Sequence, residues 1–248
     1  MKTIAIVNNK GGVGKSTTAL ALGAGYKARG AKVLYIDLDM QGNLSSTLQV
    51  NKDKLSVYEL LAQKVTAKDV IQTTPQGDVI PSAPELMRAD ETLTKAGREY
   101  RLKEGLASIL GDYDKVVIDT PPALGVLLMN ALAAADDVLI PAQADTYSVQ
   151  GIAQLGETIE AVQKYCNPAL KIAGVLLTRF NGRAIISREL AEVLDKQAKQ
   201  LGTRLLNTKI RECVALKEAQ ALCQSIFDYA PDSNAAADYK QLLEELGE

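Results

Sequence analysis

A glycine-rich loop near the start of the chain has the residue types that bind a phosphate chain. An apolar run over residues 3–8 leads into Asn9-Lys10-Gly11-Gly12-Val13-Gly14-Lys15-Ser16-Thr17, and a segment with helical spacing follows. Glycines lack the Cβ atom that would keep the backbone away from phosphate oxygens, and a helix start directs its N–H groups at the same anion. In such a loop Lys15 contacts the β- and γ-phosphates and the Ser16 hydroxyl coordinates Mg²⁺. We therefore expect a nucleoside triphosphate site here.

The loop carries one lysine more than the common pattern needs. The GxxxxGK[ST] spacing places its first glycine at position 9, which is Asn9 here, and Lys10 follows it. A triphosphate that one loop already neutralises has little need of a second cation from the same loop. This suggests that Lys10 has a different target.

Two further apolar runs end in aspartate. Residues 33–37 lead into Asp37-Leu38-Asp39-Met40-Gln41-Gly42-Asn43, and residues 115–119 lead into Asp119-Thr120-Pro121-Pro122. Ligands collect at the carboxyl ends of strands in an open α/β sheet, so we expect these carboxylates beside the glycine-rich loop. A carboxylate that ends such a strand can hold a magnesium-bound water, which makes Asp119 a candidate metal ligand.

The scarce residue types limit the remaining chemistry. The 248 residues include no histidine and three cysteines, Cys166, Cys213 and Cys223, without CxxC spacing. This excludes a disulfide framework and a histidine-containing zinc site, and it leaves proton transfer to Asp, Glu, Lys or water. With 47% hydrophobic and 23% charged residues, and no long uncharged apolar stretch, the composition predicts a globular cytoplasmic protein.

Short β-branched runs alternate with amphipathic or alanine-rich segments along the whole chain. This pattern is typical of βαβ units on a mainly parallel sheet, and the lack of a Pro/Gly-rich linker indicates a single domain over residues 1–248. Strands are predicted at residues 3–8, 33–37, 78–81, 115–119, 138–141, 172–178 and 204–208. Helices are predicted near residues 15–29, 98–110, 124–134, 148–164, 184–200 and 233–246.

The string Lys10-Gly11-Gly12-Val13-Gly14-Lys15-Ser16 resembles the deviant Walker A motif of the ParA/MinD superfamily of P-loop ATPases. The resemblance implies a three-layer αβα sandwich around the mostly parallel sheet, with ATP and Mg²⁺ as cofactors and an ATP-driven face-to-face homodimer. In that dimer Lys10 reaches across the interface to the partner's nucleotide, while Lys15 keeps the ordinary P-loop role. The implied nucleotide-binding residues of the loop are Lys10, Gly11, Gly12, Val13, Gly14, Lys15, Ser16 and Thr17.

Both aspartate-bearing segments extend the resemblance. The run after residues 33–37 is similar to the family's switch I sequence DxDPQGN, with Met40 in place of the usual proline, and Asp-Thr-Pro-Pro resembles switch II. This implies that Asp39 orients the attacking water, as a catalytic residue beside Lys10 and Lys15, and that Asp37 supports Mg²⁺ through water or structure. Phosphoryl transfer depends mostly on positioning and charge neutralisation, so it needs no histidine. The implied metal site consists of Ser16, Asp37 and Asp119.

A segment near the C-terminus is similar to the family sequence IPRNVRLAEAP. Here it reads Ile210-Arg211-Glu212-Cys213-Val214-Ala215-Leu216-Lys217-Glu218-Ala219. The family takes its contacts to the nucleotide base from the proline and the asparagine, which implies Arg211 and Cys213 at this site. The family's DNA-contacting arginine corresponds to Glu212, with Arg211 one position away.

Charge is segregated along the chain, although the total is only −2. Residues 171–217 contain ten basic and four acidic residues, a net of +6, whereas residues 218–248 contain seven acidic residues and one lysine, a net of −6. By itself the basic stretch is either a solvated helix face or a DNA-binding surface, and the resemblance favours DNA. The candidate DNA contacts are Arg183, Arg188, Arg211 and Lys217.

ParA-type members partition plasmids or chromosomes, and the resemblance implies the same role here. It predicts an ATP-dependent switch whose dimer binds non-specific DNA of the nucleoid and whose hydrolysis a ParB-type centromere-binding protein stimulates. A MinD-like membrane-associated positioning ATPase is the alternative, but residues 238–248 are acidic, the wrong sign for anionic lipid, so no membrane partner is expected. The cysteines match no iron–sulfur cluster spacing, so we do not expect a reductase or metal carrier. Only two residues precede the first predicted strand, so we do not expect an N-terminal helix-turn-helix domain.

Overall fold

An eight-stranded sheet organises the part of the chain that the computed structural model describes, which is residues 1–247 apart from the side chain of Tyr147. Its strands are β1 (Lys2–Ile6), β2 (Val33–Asp37), β3 (Gln72–Thr74), β4 (Gly77–Ile80), β5 (Lys115–Asp119), β6 (Asp137–Ala142), β7 (Lys171–Phe180) and β8 (Leu205–Arg211). Their order across the sheet is β3-β4-β2-β5-β1-β6-β7-β8. Neighbours are parallel except for the antiparallel pair β3 and β4.

Helices connect the strands and cover both faces of the sheet. They are α1 (Lys15–Ala28), α2 (Asn43–Thr47), α3 (Val57–Leu61), α4 (Ala67–Val70), α5 (Ala89–Thr92), α6 (Arg101–Leu106), α7 (Val126–Ala134), α8 (Thr146–Tyr165), α9 (Ile185–Gln200), α10 (Val214–Ala221), α11 (Ile226–Tyr229) and α12 (Asn234–Glu245). Short 3₁₀ turns span Pro84–Arg88, Arg98–Tyr100 and Ala107–Ile109. Within residues 1–247, none of the helices combines the length and the apolar character that a membrane crossing requires.

The strands direct alternate side chains into two apolar layers. Ala5 and Leu34 belong to one core cluster, together with residues of α7, α8 and α9. Ile6 and Tyr35 belong to the other cluster, together with residues of α1 and α12. A strand that is covered on both faces must be apolar along its length, which explains the unbroken apolar run of β2 up to its terminal aspartate. The predicted three-layer αβα sandwich with a mostly parallel sheet is confirmed.

The register of three central strands brings the glycine-rich loop and the two aspartate segments together. β5 lies between β1 and β2, and Asp119 at its end pairs in register with Ile6 on one side and Asp37 on the other. The three strands are parallel, so their carboxyl ends meet at one edge of the sheet. The loop that precedes α1 leaves β1 at this same edge.

Parts of the predicted element pattern differ from the structure. Residues 98–110 form two 3₁₀ turns around α6 rather than one helix. At the first turn, the side chain of Asn130 on α7 binds two backbone groups that a continuous helix would pair with each other. Its Oδ1 accepts from the Leu102 N–H at 2.9 Å, and its Nδ2 donates to the Arg98 carbonyl at 2.9 Å. The prediction also missed the short elements β3, α2, α10 and α11, which have 3, 5, 8 and 4 residues respectively.

Gly23 lies on α1, the helix that follows the glycine-rich loop and that we call the loop helix. It provides a test of how tightly this helix packs on the sheet. A Cβ atom at this position would lie 2.2 Å from the ring of Tyr35 on β2. We expect Gly23→Ala to lower the free energy of unfolding by about 1–3 kcal/mol through overpacking, measured by urea denaturation. Gly111→Ala, where no atom lies within 4 Å of the added Cβ, is the control. Equal stability of the two variants would contradict this packing.

Candidate nucleotide-binding and catalytic site

The glycine-rich loop has an open backbone cradle at the start of α1. Gly12 and Gly14 adopt positive φ angles of 75° and 88°, and Gly14 is the residue that precedes the helix. Residues other than glycine rarely adopt positive φ angles, so the loop shape requires glycine at these two positions. No atom lies within 4 Å of the Cβ positions of Gly11 and Gly12. The backbone is therefore accessible to an anion at the N-terminus of a 14-residue helix.

The ends of β6 and β7 hold this loop in place. The Thr178 hydroxyl donates to the carbonyl of Val13 at 2.8 Å, and the Gln143 side chain donates to the carbonyl of Gly12 at 3.0 Å. Asn8 adds a buried hydrogen bond to the carbonyl of Pro141 at 2.6 Å. Sequence spacing did not reveal Thr178 or Gln143, because each acts from more than 130 residues away.

Lys15 is buried in the middle of the site. Its ammonium donates to the carbonyl of Lys10 at 3.0 Å, and the residue is only 6% exposed. Burial lowers the pKa of Lys15, whereas the charges of Asp119 and Asp39 oppose that shift. The structure thus brings Lys15, Asp39 and Asp119 together, as the sequence predicts.

Asp119 is a buried carboxylate without a hydrogen-bond partner. It has no solvent exposure, and neither of its oxygens accepts a hydrogen bond. Burial raises the pKa of Asp119 well above its ordinary value and the charge of Asp37 adds to the rise, while Ser16 and Lys15 favour the charged form. Ser16 lies beside this carboxylate. Buried polar groups almost always have partners, so this pair fits a Mg²⁺ ion or its bound water.

Asp37 supports the loop that carries Asp39. It is fully buried, and its carboxylate accepts the Asp39 N–H at 3.0 Å, the Ser45 N–H at 2.8 Å and the Ser45 hydroxyl at 2.7 Å. Burial raises the pKa of Asp37 to about 6, although these hydrogen bonds oppose the rise. Asp37 therefore contributes to the structure of the loop directly, and its role at Mg²⁺ stays a prediction.

Asp39 lies at the same edge, held by its own turn. Its carboxylate accepts the Gln41 N–H at 3.0 Å, and its carbonyl accepts the Ser82 hydroxyl at 2.5 Å. The Ser82 N–H in turn donates to the Ser45 hydroxyl at 2.9 Å, which links the loop to the segment after β4. Ser45 and Ser82 belong to no motif that binds nucleotide or metal, so sequence reasoning did not identify either.

Lys10 forms an ion pair within the chain. Its ammonium lies 2.5 Å from the carboxylate of Asp145, and each side chain is about one third exposed, 28% and 31% respectively. Asp145 also caps α8 by accepting the Ser148 N–H at 2.9 Å. Burial alone would raise the pKa of Asp145, but the hydrogen bonds from Lys10 and Ser148 outweigh it and lower the pKa. Lys10 therefore lies against the start of α8, a contact that sequence reasoning missed.

Arg211 and Cys213 border the loop, as the resemblance implies. They line a cavity of about 70 Å³ together with Gly14, Thr17 and Gln220. The Gln220 side chain donates to the Thr17 hydroxyl at 3.1 Å. The guanidinium of Arg211 is bound to Asp238, with Nη2 2.6 Å from Oδ1. Base contacts by Arg211 and Cys213 stay a prediction.

The remaining candidate DNA contacts lie on the surface. Arg183 and Arg188 are exposed at the start of α9, and Lys217 is exposed on α10. α9 follows β7 and α10 follows β8, and these two strands are parallel neighbours. The cations therefore lie at the edge of the sheet that holds the phosphate loop.

Comparisons with known proteins agree with this geometry. The family model described as AAA domain matches residues 1–172. The chromosome-partitioning ATPase Soj of Treponema pallidum is 38% identical over 248 residues, which cover 99% of this chain and 96% of Soj. The chain belongs to the ParA/Soj family of P-loop ATPases. These relatives favour the ParA-type interpretation over the MinD-like alternative.

Solved structures of relatives share the fold over nearly the full chain. McdA of Cyanothece, a variant in complex with ATP, is 29% identical with a TM-score of 0.89 and covers 100% of this chain and 96% of its own. Cobyrinic acid a,c-diamide synthase of Mycobacterium smegmatis, bound to an ATP analogue and magnesium, is 35% identical with a TM-score of 0.84. That match covers 98% of this chain and 93% of the synthase chain.

The raised pKa of Asp37 predicts a dependence of stability on pH. Its folded pKa of about 6 exceeds the ordinary value of 3.8, so the folded state binds more protons than the unfolded state between these values. The free energy of unfolding contributed by this group therefore falls as pH rises from about 4 to about 6, by about 2–3 kcal/mol. Relative to wild type, Asp37→Asn should gain that amount across this window in urea denaturation without nucleotide. Parallel curves for the two proteins would contradict the prediction.

Proposed function

We propose that this chain is a Mg²⁺-dependent ATPase of a ParA-type DNA-partitioning system, active as one domain over residues 1–248. The observation that carries the proposal is the buried and unpartnered Asp119 carboxylate beside Ser16 and Lys15, at the start of the loop helix. A magnesium-bound triphosphate supplies what this arrangement lacks, because the metal pairs with the carboxylate and the phosphates pair with the ammonium. The Soj relative, named a chromosome-partitioning ATPase, supports the same activity.

The residues of the site divide the chemistry between them. The loop backbone over residues 11–16 binds the phosphates, Lys15 neutralises their charge, and Ser16 and Asp119 hold Mg²⁺, directly or through its water. The bound metal supplies further neutralisation of the charge that develops on the transferred group. Asp39 orients the attacking water, since its backbone is fixed by Asp37 and Ser82 at the correct edge of the sheet. Positioned groups of this kind supply most of the rate enhancement in phosphoryl transfer.

Lys10 acts in a second protomer. In the single chain its ammonium pairs with Asp145, on the side of the loop that faces α8. We propose that ATP brings two protomers face to face and that Lys10 exchanges Asp145 for the phosphates bound to its partner. Hydrolysis, stimulated by a ParB-type partner, then returns Lys10 and separates the dimer.

Two variants test the dimer model. Lys10→Ala should abolish ATP-dependent dimerisation, because the interface loses the cation that bridges it. Asp39→Ala should reduce hydrolysis by at least about a hundredfold and leave a long-lived ATP dimer, because binding survives while water is no longer oriented. Analytical ultracentrifugation with and without ATP, together with phosphate release, measures both outcomes. A Lys10→Ala protein that still dimerises and hydrolyses normally would rule out the role of Lys10 in trans.

The ATP dimer is proposed to bind non-specific DNA in the cytoplasm, on the nucleoid. Arg183, Arg188 and Lys217 are exposed near the phosphate loop, and dimerisation doubles their number. Each phosphate neutralised contributes about 0.9 to the slope of log affinity against log salt. Six cations in the dimer therefore predict a slope of about −5.

DNA affinity should depend on these particular cations. We expect Arg188→Ala to reduce the salt slope by about 2, because the dimer loses two phosphate contacts. Lys199→Ala is the matched control on the same helix, since Lys199 pairs with Asp195 at the far end of α9. Fluorescence anisotropy with a duplex at several salt concentrations measures the slope. Equal binding with ADP and ATP, or equal slopes for the two variants, would contradict the proposed surface.

A further inference from the structure

The C-terminal helix α12 supplies carboxylates to the edge strand of the sheet. β8 is the last strand, so some of its backbone N–H groups need partners other than a neighbouring strand. Glu245 accepts the N–H groups of Asn207 and Thr208, each at 2.8 Å. Asp238 accepts the N–H of Arg211 at 2.9 Å. The helix is therefore bound to the middle of β8 and to its C-terminal end.

Asp238 holds both the backbone and the side chain of Arg211. Besides the N–H, it accepts from Arg211 Nε at 3.0 and 3.1 Å and from Nη2 at 2.6 Å. The Asp238 side chain is 7% exposed, whereas that of Arg211 is 48% exposed. A buried carboxylate with three donors from one residue leaves that residue little freedom. The chain therefore leaves β8 in a defined direction, towards Cys213 and α10.

The next residue of α12, Tyr239, contacts α1 and lines the cavity beside the glycine-rich loop. The Tyr239 hydroxyl lies 3.2 Å from the Thr18 hydroxyl on α1, and Tyr239 is 1% exposed. The cavity is the one of about 70 Å³ described above. It is lined by residues 210–213, by Gly14 and Thr17 at the start of α1, and by Tyr239. Two consecutive residues of one helix thus connect the loop helix to the segment after β8.

We propose that Asp238 is a positioning residue for the nucleoside part of the bound nucleotide. This inference rests on the proposed nucleotide site at the glycine-rich loop. Asp238 and Tyr239 set the separation between α1 and residues 210–213, and so the width of the cleft that receives base and ribose. The hydrogen bonds that Asp238 accepts come from Arg211 and not from the loop residues proposed to bind the phosphates. Without the ion pair, residues 210–213 would have to become ordered when the nucleotide binds. This cost weakens the binding of the nucleoside part and leaves the binding of the phosphates unaffected.

The experiment compares two ligands and two variants. Calorimetric titration of wild type, Asp238→Asn and Glu245→Gln uses ADP with Mg²⁺ as one probe and pyrophosphate with Mg²⁺ as the other. Asp238→Asn should weaken ADP binding about tenfold, the equivalent of one hydrogen bond to a charged group, and change pyrophosphate affinity less than about twofold. Glu245→Gln alters the contacts that the same helix makes with the N–H groups of Asn207 and Thr208, which do not line the cavity, and should leave both affinities unchanged. Thermal denaturation confirms that each variant is folded.

Three results would overturn the inference. They are unchanged ADP affinity in Asp238→Asn, equal weakening of ADP and pyrophosphate in that variant, and an ADP defect of the same size in Glu245→Gln. The ADP comparison does not require hydrolysis. A wild-type protein that binds ADP without hydrolysing ATP would therefore contradict the proposed ATPase, while the comparison of the variants still decides the role of Asp238.

Discussion

The burial of like charges around a single lysine is the constraint on which the site depends. Asp37 and Asp119 have no solvent exposure, Asp39 and Lys15 are 6% exposed, and neither oxygen of Asp119 has a hydrogen-bond partner. One ammonium cannot neutralise three carboxylates, and a buried charge without a partner destabilises the folded state. A divalent cation that binds together with phosphates neutralises the excess carboxylates, and the phosphates add the negative charge that pairs with the ammonium. The buried carboxylates thus lower the free energy of unfolding of the ligand-free protein, and ligand binding at the same site raises it again.

The parallel sheet makes this arrangement possible. Asp37 and Asp119 are in-register neighbours on β2 and β5, and Ile6 of β1 is the neighbour of Asp119 on the other side. Helices cover both faces of these strands, so groups at the strand ends lose water without being placed in a core. The loop that follows β1 adds the N-terminus of α1 at the same edge. Backbone geometry therefore sets the positions of these charges, and the side chains need only be of the right type.

Local side-chain patterns could be predicted from the sequence, whereas contacts that depend on the arrangement of the backbone could not. Residues 33–37 and 115–119 coincide with β2 and β5, because an apolar run that ends in aspartate is a local pattern. The loop was equally visible, since its glycines, lysine and serine are consecutive. The partners that hold these groups were not visible: Asp145 and Thr178 contact the loop from more than 130 residues away, and only the fold brings them there. Such pairings depend on strand order, which local spacing does not encode.

Two ion pairs flank the site and differ in how easily they can open. Lys10 and Asp145 form a single contact between side chains that are each about one third exposed, and pairs of this kind contribute about 1 kcal/mol or less. A partly exposed pair of this kind opens more easily than a buried one. Asp238, in contrast, is buried and accepts from both the backbone and the guanidinium of Arg211, so opening that pair leaves a buried carboxylate without partners. The first contact is compatible with the proposed exchange of Lys10 between protomers, and the second with the proposed positioning role of Asp238.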